Sequence, residues 1–214
     1  MRLAFFDVDE TLIDCKSMFV FAKFYFDEYL PPGRAPTYDE LMGQIQQQVR
    51  DGAPRETINA FYYSRFAGRA RTEVRHAARA LFDARPYPQR QASVARLRAH
   101  QQAGDEVVFV SGAMVDILHP LMTLLDVRSA YCSAPAVRDG IYTGALTQQA
   151  IGAGKAQAVA HFCAQRDVPP ERCFAYGDHV TDVPLLSAVG HAVAVNPDAP
   201  MAALARDKGW EIIA

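Results

Sequence analysis

Three short apolar runs, each followed at once by polar residues, constrain the fold of this chain more than any other feature. In chain order they are residues 2–6 (RLAFF), 106–110 (EVVFV) and 173–176 (CFAY). Runs of this length bounded by polar residues are typical of buried β-strands. Helical stretches separate them, and strands that alternate with helices predict an α/β fold with a doubly wound, mostly parallel sheet.

Helical periodicity fills the long interval between the first and second runs. It covers residues 17–29, 38–50, 55–66 and 71–82, with a break at Pro31, Pro32 and Gly33. Glycine and proline separate these stretches from one another. We therefore predict a helical cap domain at residues 15–85, inserted after the first strand into a catalytic core formed by residues 1–14 and 86–214.

The second half of the chain continues the alternation. Further helices are predicted from Pro88 to about 103, and at 115–125, 155–165, 184–188 and 198–207, and further strands at 131–135 and 191–195. Asp139 and Gly140 before the segment IYTG indicate a hairpin turn.

Composition excludes several classes of protein. The net charge of −2 over 214 residues argues against a nucleic-acid partner, which normally requires a basic face. The four cysteines have no spacing typical of a zinc site, and reduced thiols suit a cytoplasmic protein. The apolar run before Asp7 is too short for a membrane span. We expect a cytoplasmic protein with no membrane partner, as a monomer or homodimer.

The segment DVDET, residues 7–11, follows the first predicted strand directly. Asp7 and Asp9 are two residues apart, so both carboxylates can point the same way at a strand end. One can attack phosphorus while the other transfers protons, because a carboxylate is a competent nucleophile toward phosphoryl groups. Two exposed surface acids are the alternative, which the preceding buried strand makes weak.

Two further segments offer groups for a phosphate. Ser111 and Gly112 follow the second strand, and Lys155 follows IGAG near the start of a helix. A fixed cation can balance the charge on phosphoryl oxygens. Taken alone, Ser-Gly is also a common turn and Lys155 could be a solvated helix residue. The spacing around Lys155 is not that of a P-loop.

The segment GDHVTD, residues 177–182, follows the strand at 173–176. Carboxylate oxygens at a strand end suit Mg²⁺, which uses one or two carboxylates together with water and substrate phosphate. We predict Asp178 as the metal ligand. Asp182 is expected to orient Lys155 or a metal-bound water.

These four segments together resemble the motifs of the haloacid dehalogenase (HAD) superfamily. DVDET is similar to its first motif, VVFVSG to its second, Lys155 to its third and YGDHVTD to its fourth. The resemblance covers about 1–14 and 86–214. The insert resembles the cap of the phosphoserine-phosphatase-like subfamily in position and helical character, and DGIYTG resembles a segment of that subfamily.

The resemblance implies a mechanism. Asp7 would be the nucleophile, and Asp9 would protonate the leaving alcohol and then activate water. Ser111, Gly112 and Lys155 would bind the phosphoryl group. Mg²⁺ would be held by Asp7, Asp178 and the backbone carbonyl of Asp9. The second acid favours phosphatase or phosphomutase chemistry, because dehalogenases of the superfamily lack it and its transport ATPases carry Thr there.

The chain departs from phosphoserine phosphatases where those enzymes bind the substrate. Lys16 stands nine residues after Asp7, where they carry a Glu that recognises the substrate amine, and their cap Arg falls at Tyr62, with Arg65 near. His179 follows Asp178 where a small residue is usual. Lys16, Tyr62, Arg65 and His179 are our candidates for substrate binding, although solvated or packing roles compete. A cation at Lys16 argues against phosphoserine.

A magnesium-dependent phosphatase for a small phosphate ester is therefore the leading interpretation. A phosphomutase or phosphotransferase would use the same residues and differ only in the acceptor. A signalling receiver domain also accepts phosphoryl groups on Asp, but the cap insert argues against it. A catalytically inactive binding protein is disfavoured by the intact Asp7, Asp9, Lys155 and Asp178.

Overall fold

The computed structural model describes residues 1–31, 33 and 36–214. A six-stranded parallel sheet with the order β3-β2-β1-β6-β7-β8 forms its centre, and β4 and β5 form a separate antiparallel pair. The strands are β1 (Leu3–Asp7), β2 (Glu106–Ser111), β3 (Ser129–Cys132), β4 (Ala134–Arg138), β5 (Ile141–Gln148), β6 (Phe174–Gly177), β7 (His191–Val195) and β8 (Glu211–Ile213). The predicted doubly wound α/β fold is confirmed.

Helices cover both faces of this sheet. They are α1 (Ser17–Lys23), α2 (Tyr38–Arg50), α3 (Arg55–Ser64), α4 (Arg71–Ala84), α5 (Gln91–Gln102), α6 (Val115–Leu124), α7 (Ala153–Arg166), α8 (Val183–Leu186) and α9 (Ala199–Asp207). None of these helices in the described part of the chain could span a bilayer.

Strand β1 lies at the centre of the sheet because both of its faces are apolar. Leu3 and Phe5 pack in the cluster that contains the α7 residues, whereas Ala4 and Phe6 pack in the larger cluster on the opposite side. All four are fully buried. A parallel strand that is covered on both faces consists of a continuous run of apolar residues. Residues 2–6 form such a run, and for this reason the sequence predicts β1.

The third predicted strand, 131–135, is wrong in its extent. The structure divides this region into β3 and β4, which belong to different sheets. Ser133 is the junction: its backbone NH still donates to the Ser111 carbonyl oxygen (3.0 Å), and the chain then leaves the parallel sheet. Apolar composition alone does not mark such a change of partner.

The hairpin predicted at Asp139 and Gly140 is present between β4 and β5. Arg138 pairs with Ile141 across it, and the two central residues have φ of 50° and 77°. A two-residue turn that matches the twist of antiparallel strands requires positive φ at both central positions. This requirement favours Asp-Gly.

Two further elements differ from the sequence prediction. The helix predicted over 17–29 is α1 followed by a π-helical segment, Phe24–Tyr29. Strand β8 has three residues and was not predicted. Of the predicted break at Pro31, Pro32 and Gly33, Pro32 lies outside the described residues.

Hydrogen bonds and ion pairs to Asp116 join helix α4 to α6 and β5. Asp116 on α6 is 7% exposed; it accepts hydrogen bonds from Arg71 (2.7 and 3.1 Å) and from the hydroxyl of Tyr142 on β5 (2.6 Å). The Tyr142 side chain is buried, so its hydroxyl depends on Asp116 for a partner. Buried donors that lose their partner carry the full cost of desolvation.

Asp116→Ala should lower the free energy of unfolding by about 1–3 kcal/mol, because it leaves the Tyr142 hydroxyl unsatisfied. Urea denaturation measures this. Asp83→Ala is the matched control: Asp83 also pairs with an α4 arginine, Arg79, but both side chains are more than half exposed. The control should cost less than about 1 kcal/mol. Equal losses in both variants would contradict the assigned role of Asp116.

Candidate active site

The predicted site residues meet at the carboxyl edge of the sheet. Strand β1 lies between β2 and β6, so Asp7 at its end is next to Ser111 at the end of β2 and Asp178 just after β6. Ligands of open α/β sheets bind at this edge. A cavity of about 190 Å³ opens there, lined by Asp7, Asp9, Glu10, Lys16, Met18, Phe19, Arg55, Ser111, Gly112, Ala113, Ile151, Lys155, Asp178, His179, Thr181 and Asp182.

Lys155 is the cation at the centre of the site. Its Nζ lies 2.6 Å from Asp7 Oδ1 and 2.5 Å from Asp182 Oδ1, and all three side chains are buried. Burial disfavours its charge, but Asp182 and Asp7 outweigh burial and raise the pKa of Lys155. For Asp7, burial raises the pKa well above its usual range, while Lys155 opposes the shift and Asp182 and Asp178 add to it. Three carboxyl groups, those of Asp7, Asp178 and Asp182, therefore lie around a single lysine.

A close backbone approach places Lys155. Gly154 precedes it, and a Cβ on Gly154 would lie 2.2 Å from the carbonyl oxygen of Gln149. Only glycine fits there, so the segment IGAG sets the start of helix α7 against the preceding loop. The helix then directs Lys155 toward Asp7.

Asp182 holds the loop that follows β6. Its Oδ2 accepts hydrogen bonds from the backbone NH groups of Asp178 (3.2 Å) and His179 (3.1 Å), while its Oδ1 accepts from Lys155. A Cβ on Gly177 would lie 2.6 Å from the Asp182 Cβ. The absence of a side chain at Gly177 therefore allows Asp182 to fold back under the loop.

The acidic groups fit a hard divalent cation. One carboxylate oxygen from each of Asp7, Asp178 and Asp182 lies within 4.8 Å of the others. Burial, with Asp182 adding to it, raises the pKa of Asp178. Mg²⁺ prefers such oxygens. Asp182 accepts three hydrogen bonds, from Lys155 and two backbone NH groups, whereas Asp7 and Asp178 accept fewer and are therefore the freer ligands.

Asp9 lines the same cavity as this cluster and lies next to the start of α1. Its Oδ1 accepts a hydrogen bond from the backbone NH of Ser17, the first residue of α1 (3.1 Å). Burial raises the pKa of Asp9 to about 6, although the hydrogen bonds from Ser17 oppose the shift. A carboxyl group with a pKa near neutrality is suited to general acid–base catalysis.

The loop after β2 is held by helix α3. The carbonyl oxygen of Gly112 accepts hydrogen bonds from Asn59 Nδ2 (3.2 Å) and from the Tyr63 hydroxyl (2.9 Å). The Ser111 Oγ accepts from the backbone NH of Ala113 (3.1 Å) and keeps its own hydroxyl proton for another acceptor. Ser111 and Gly112 line the cavity together with Lys155.

Of the four predicted substrate-binding residues, two line the cavity and two do not. Lys16 and His179 lie on its wall. Tyr62 is 1% exposed and donates its hydroxyl to the Met18 carbonyl oxygen (2.7 Å), and the guanidinium of Arg65 packs over the ring of Phe61. The placement of Tyr62 and Arg65 against the substrate is therefore corrected. The helical pattern of residues 55–66 does not fix which face of α3 lines the cavity.

Sequence reasoning missed several polar residues of the site, among them Thr11, Arg55 and Thr181. The Thr11 hydroxyl contacts Asp178 Oδ1 (2.8 Å) and Asp7 Oδ2 (3.3 Å), and Arg55 Nη1 lies 3.3 Å from His179 Nδ1. Thr11 had a signal, because it closes the segment DVDET. No local sequence signal marks Arg55. Helix α3 and the loop after β6 are far apart along the chain and meet only in the folded structure.

Gly177→Ala should destabilise the protein by about 1–3 kcal/mol, because the added methyl group displaces Asp182. Chemical denaturation measures the change. Gly43→Ala is the matched control: Gly43 lies inside helix α2 with open space around it. The control should stabilise the protein by about 0.5–1 kcal/mol. A neutral result for Gly177→Ala would contradict the close approach.

The chain is similar in sequence to known proteins. The sequence profile of the haloacid dehalogenase-like hydrolases matches residues 4–187. A probable phosphatase of Mycobacterium tuberculosis is 33% identical over 214 residues, which cover 98% of this chain and 74% of that protein. A phosphoserine phosphatase of the same organism is 31% identical over 227 residues, covering 98% of this chain and 69% of that protein.

A solved structure gives the same result for the fold. A protein of unknown function from Bordetella pertussis Tohama I superposes with a TM-score of 0.88 at 25% identity, covering 100% of this chain and 98% of that one. The range matched by the family profile, residues 4–187, covers most of this chain. The chain therefore belongs to the haloacid dehalogenase-like hydrolase family and is an enzyme of the phosphatase type within it.

Proposed function

We propose that the protein is a Mg²⁺-dependent phosphatase that hydrolyses a small phosphate monoester through an aspartyl-phosphate on Asp7. The observation that carries this proposal is the position of Asp7, buried at the end of β1, 2.6 Å from Lys155 and beside the carboxylates of Asp178 and Asp182. A carboxylate in this setting is held in place and faces a cavity that can receive a phosphoryl group.

The first step transfers the phosphoryl group to Asp7. A carboxylate oxygen of Asp7 forms a bond to phosphorus while the bond from phosphorus to the ester oxygen breaks. Asp9, in its protonated form, gives its proton to the departing alkoxide, which leaves as an alcohol. Ser111, the Gly112 backbone and Lys155 hold the phosphoryl oxygens, where negative charge is greatest.

The second step regenerates the enzyme. Asp9, now ionised, accepts a proton from water as the water oxygen attacks phosphorus, and the bond from phosphorus to the Asp7 oxygen breaks. Inorganic phosphate leaves and the Asp7 carboxylate returns. Asp7, Asp178 and the Asp9 backbone carbonyl would hold Mg²⁺, which would supply positive charge in addition to that of Lys155. Asp182 keeps Lys155 and the Asp178 loop in position.

The cavity favours a small substrate without an ammonium group. Its volume is about 190 Å³, and Lys16 and Arg55 lie on its wall near His179. Lys16 pairs with Glu10 (3.3 Å), and with Arg55 added this wall keeps a net positive charge, which disfavours an ammonium group. One relative is named a phosphoserine phosphatase. We nevertheless propose that phosphoserine is not the preferred substrate here, because its amine would meet Lys16.

We further propose a domain organisation, a cellular location and an oligomeric state. Residues 15–85 act as the cap over a core of residues 1–14 and 86–214, and the enzyme works in the cytoplasm as a monomer or homodimer. The cysteines Cys15, Cys132, Cys163 and Cys173 are free thiols, which suits a reducing compartment.

Phosphate release from a panel of small esters tests the reaction. Wild type should release phosphate with Mg²⁺ and lose this activity in excess EDTA. Asp7→Asn should lower kcat by about 10⁴-fold or more, because the nucleophile is removed. Asp14→Asn is the control, since Asp14 is an exposed acid that pairs with Arg90 and does not line the cavity.

Several results would contradict the proposal. Folded wild type that cleaves no ester, or Asp7→Asn with activity near wild type, would exclude aspartyl-phosphate hydrolysis. Transfer of the phosphoryl group to an added sugar or alcohol, without release of phosphate, would establish the mutase or transferase alternative. Product analysis of the same reactions distinguishes these results.

Lys16→Glu should shift preference toward esters that carry an amine. The ratio of kcat/KM for phosphoethanolamine to that for ethyl phosphate should rise about tenfold at low salt, and less at high salt, because the site is near solvent. Lys208→Glu, a charge reversal away from the cavity, is the control. An unchanged ratio in Lys16→Glu would show that Lys16 does not face the leaving group.

A further inference from the structure

A second cavity, of about 260 Å³, adjoins the candidate active site. It lies on the outer side of α1, against the π-helical segment, the start of α2 and the end of α4. Lys16 and Phe19 line both cavities. These two side chains therefore form the boundary between the two spaces, and we call the second one the cap groove.

The wall of the cap groove is apolar. Phe19, Val20 and Phe24 form one side, and Tyr38 and Leu81 form the other. Phe19, Val20, Phe24 and Tyr38 are partly exposed, although each packs against the main core cluster. Removing such partly wet apolar surface from water is favourable, so the groove offers binding free energy to an apolar guest.

The charged residues at the rim of the groove already have partners. Lys16 pairs with Glu10 (3.3 Å), Lys23 with Asp27 (3.1 Å) and Arg85 with Glu28 (2.5 Å). Lys23 and Arg85 also lie over the rings of Tyr38 and Phe24. Because each cation has a carboxylate beside it, the rim does not favour a second anion. An uncharged hydrocarbon group suits the groove better.

We propose that the cap groove binds the apolar part of the substrate's alcohol, so that the preferred substrates are phosphate monoesters with an extended hydrocarbon chain. This inference rests on the proposed phosphatase function and specifies its substrate class. The phosphoryl group occupies the site at Asp7, and the chain passes Phe19 into the groove. At roughly 30 Å³ for each water-sized group, the groove has room for about nine such groups.

A series of primary alkyl phosphates from methyl to octyl tests the inference. kcat/KM should rise with each methylene that enters the groove, by up to about fourfold, and then level off. The Kd values of the matching alkylphosphonates, measured by calorimetry with Mg²⁺, should fall in parallel. Phosphonates are not hydrolysed, so this second measurement does not depend on turnover.

Val20→Asp should flatten both dependences on chain length, because a carboxylate then lies on the groove wall. Val20→Thr, which keeps the shape of valine, should reduce them less and serves if the first variant does not fold. Val49→Asp is the matched control, since Val49 is 59% exposed on α2 and does not line the groove. It should leave both dependences as in wild type.

The outcomes separate the two proposals. Hydrolysis of methyl phosphate with no gain for longer chains, in rate or in binding, would overturn the groove assignment and leave the phosphatase intact. Failure to hydrolyse any ester would overturn the proposed function, and phosphonate binding would then decide the groove alone. Flat dependences together with a monomer–dimer shift in Val20→Asp, seen by light scattering, would show instead that a second copy covers the groove.

Discussion

The neutralisation of buried carboxylates by Lys155 is the interaction on which the rest of this site depends. Asp7 and Asp182 both contact Lys155 Nζ, and Asp178 lies within the same cluster. Removing one charged partner from a buried group of charges leaves the others uncompensated. The glycines around it, Gly154 and Gly177, keep these side chains close enough to share one cation.

Local sequence predicts those parts of the fold in which a residue's role follows from its position along the chain. Strand β1 is apolar throughout, and Asp7 follows it directly, so the strand and the candidate nucleophile are recognised together. The Asp139-Gly140 turn is predicted for the same reason, because its backbone requires positive φ. Asp178 and Ser111 are also predicted as site residues, because parallel strands end at the same edge of the sheet.

The remaining features depend on contacts between distant segments. Arg55 meets His179 only when α3 lies against the loop after β6, and Tyr62 points inward, to the Met18 carbonyl, because of how α3 packs on α1. The division between β3 and β4 lies at Ser133, where the chain stops pairing with β2 and begins to pair with β5. Helical periodicity identifies a buried face but not the element that it packs against, so it does not predict the surroundings of Tyr62 and Arg65.

The contact between Gly177 and Asp182 also limits the order in which this sequence can change. A side chain at position 177 collides with Asp182 as long as Asp182 folds beneath the loop. Loss of the acid first would free the space, after which alanine at 177 becomes tolerable. The two positions are therefore epistatic, and a chain that once accumulated both changes would recover the acid only after restoring the glycine.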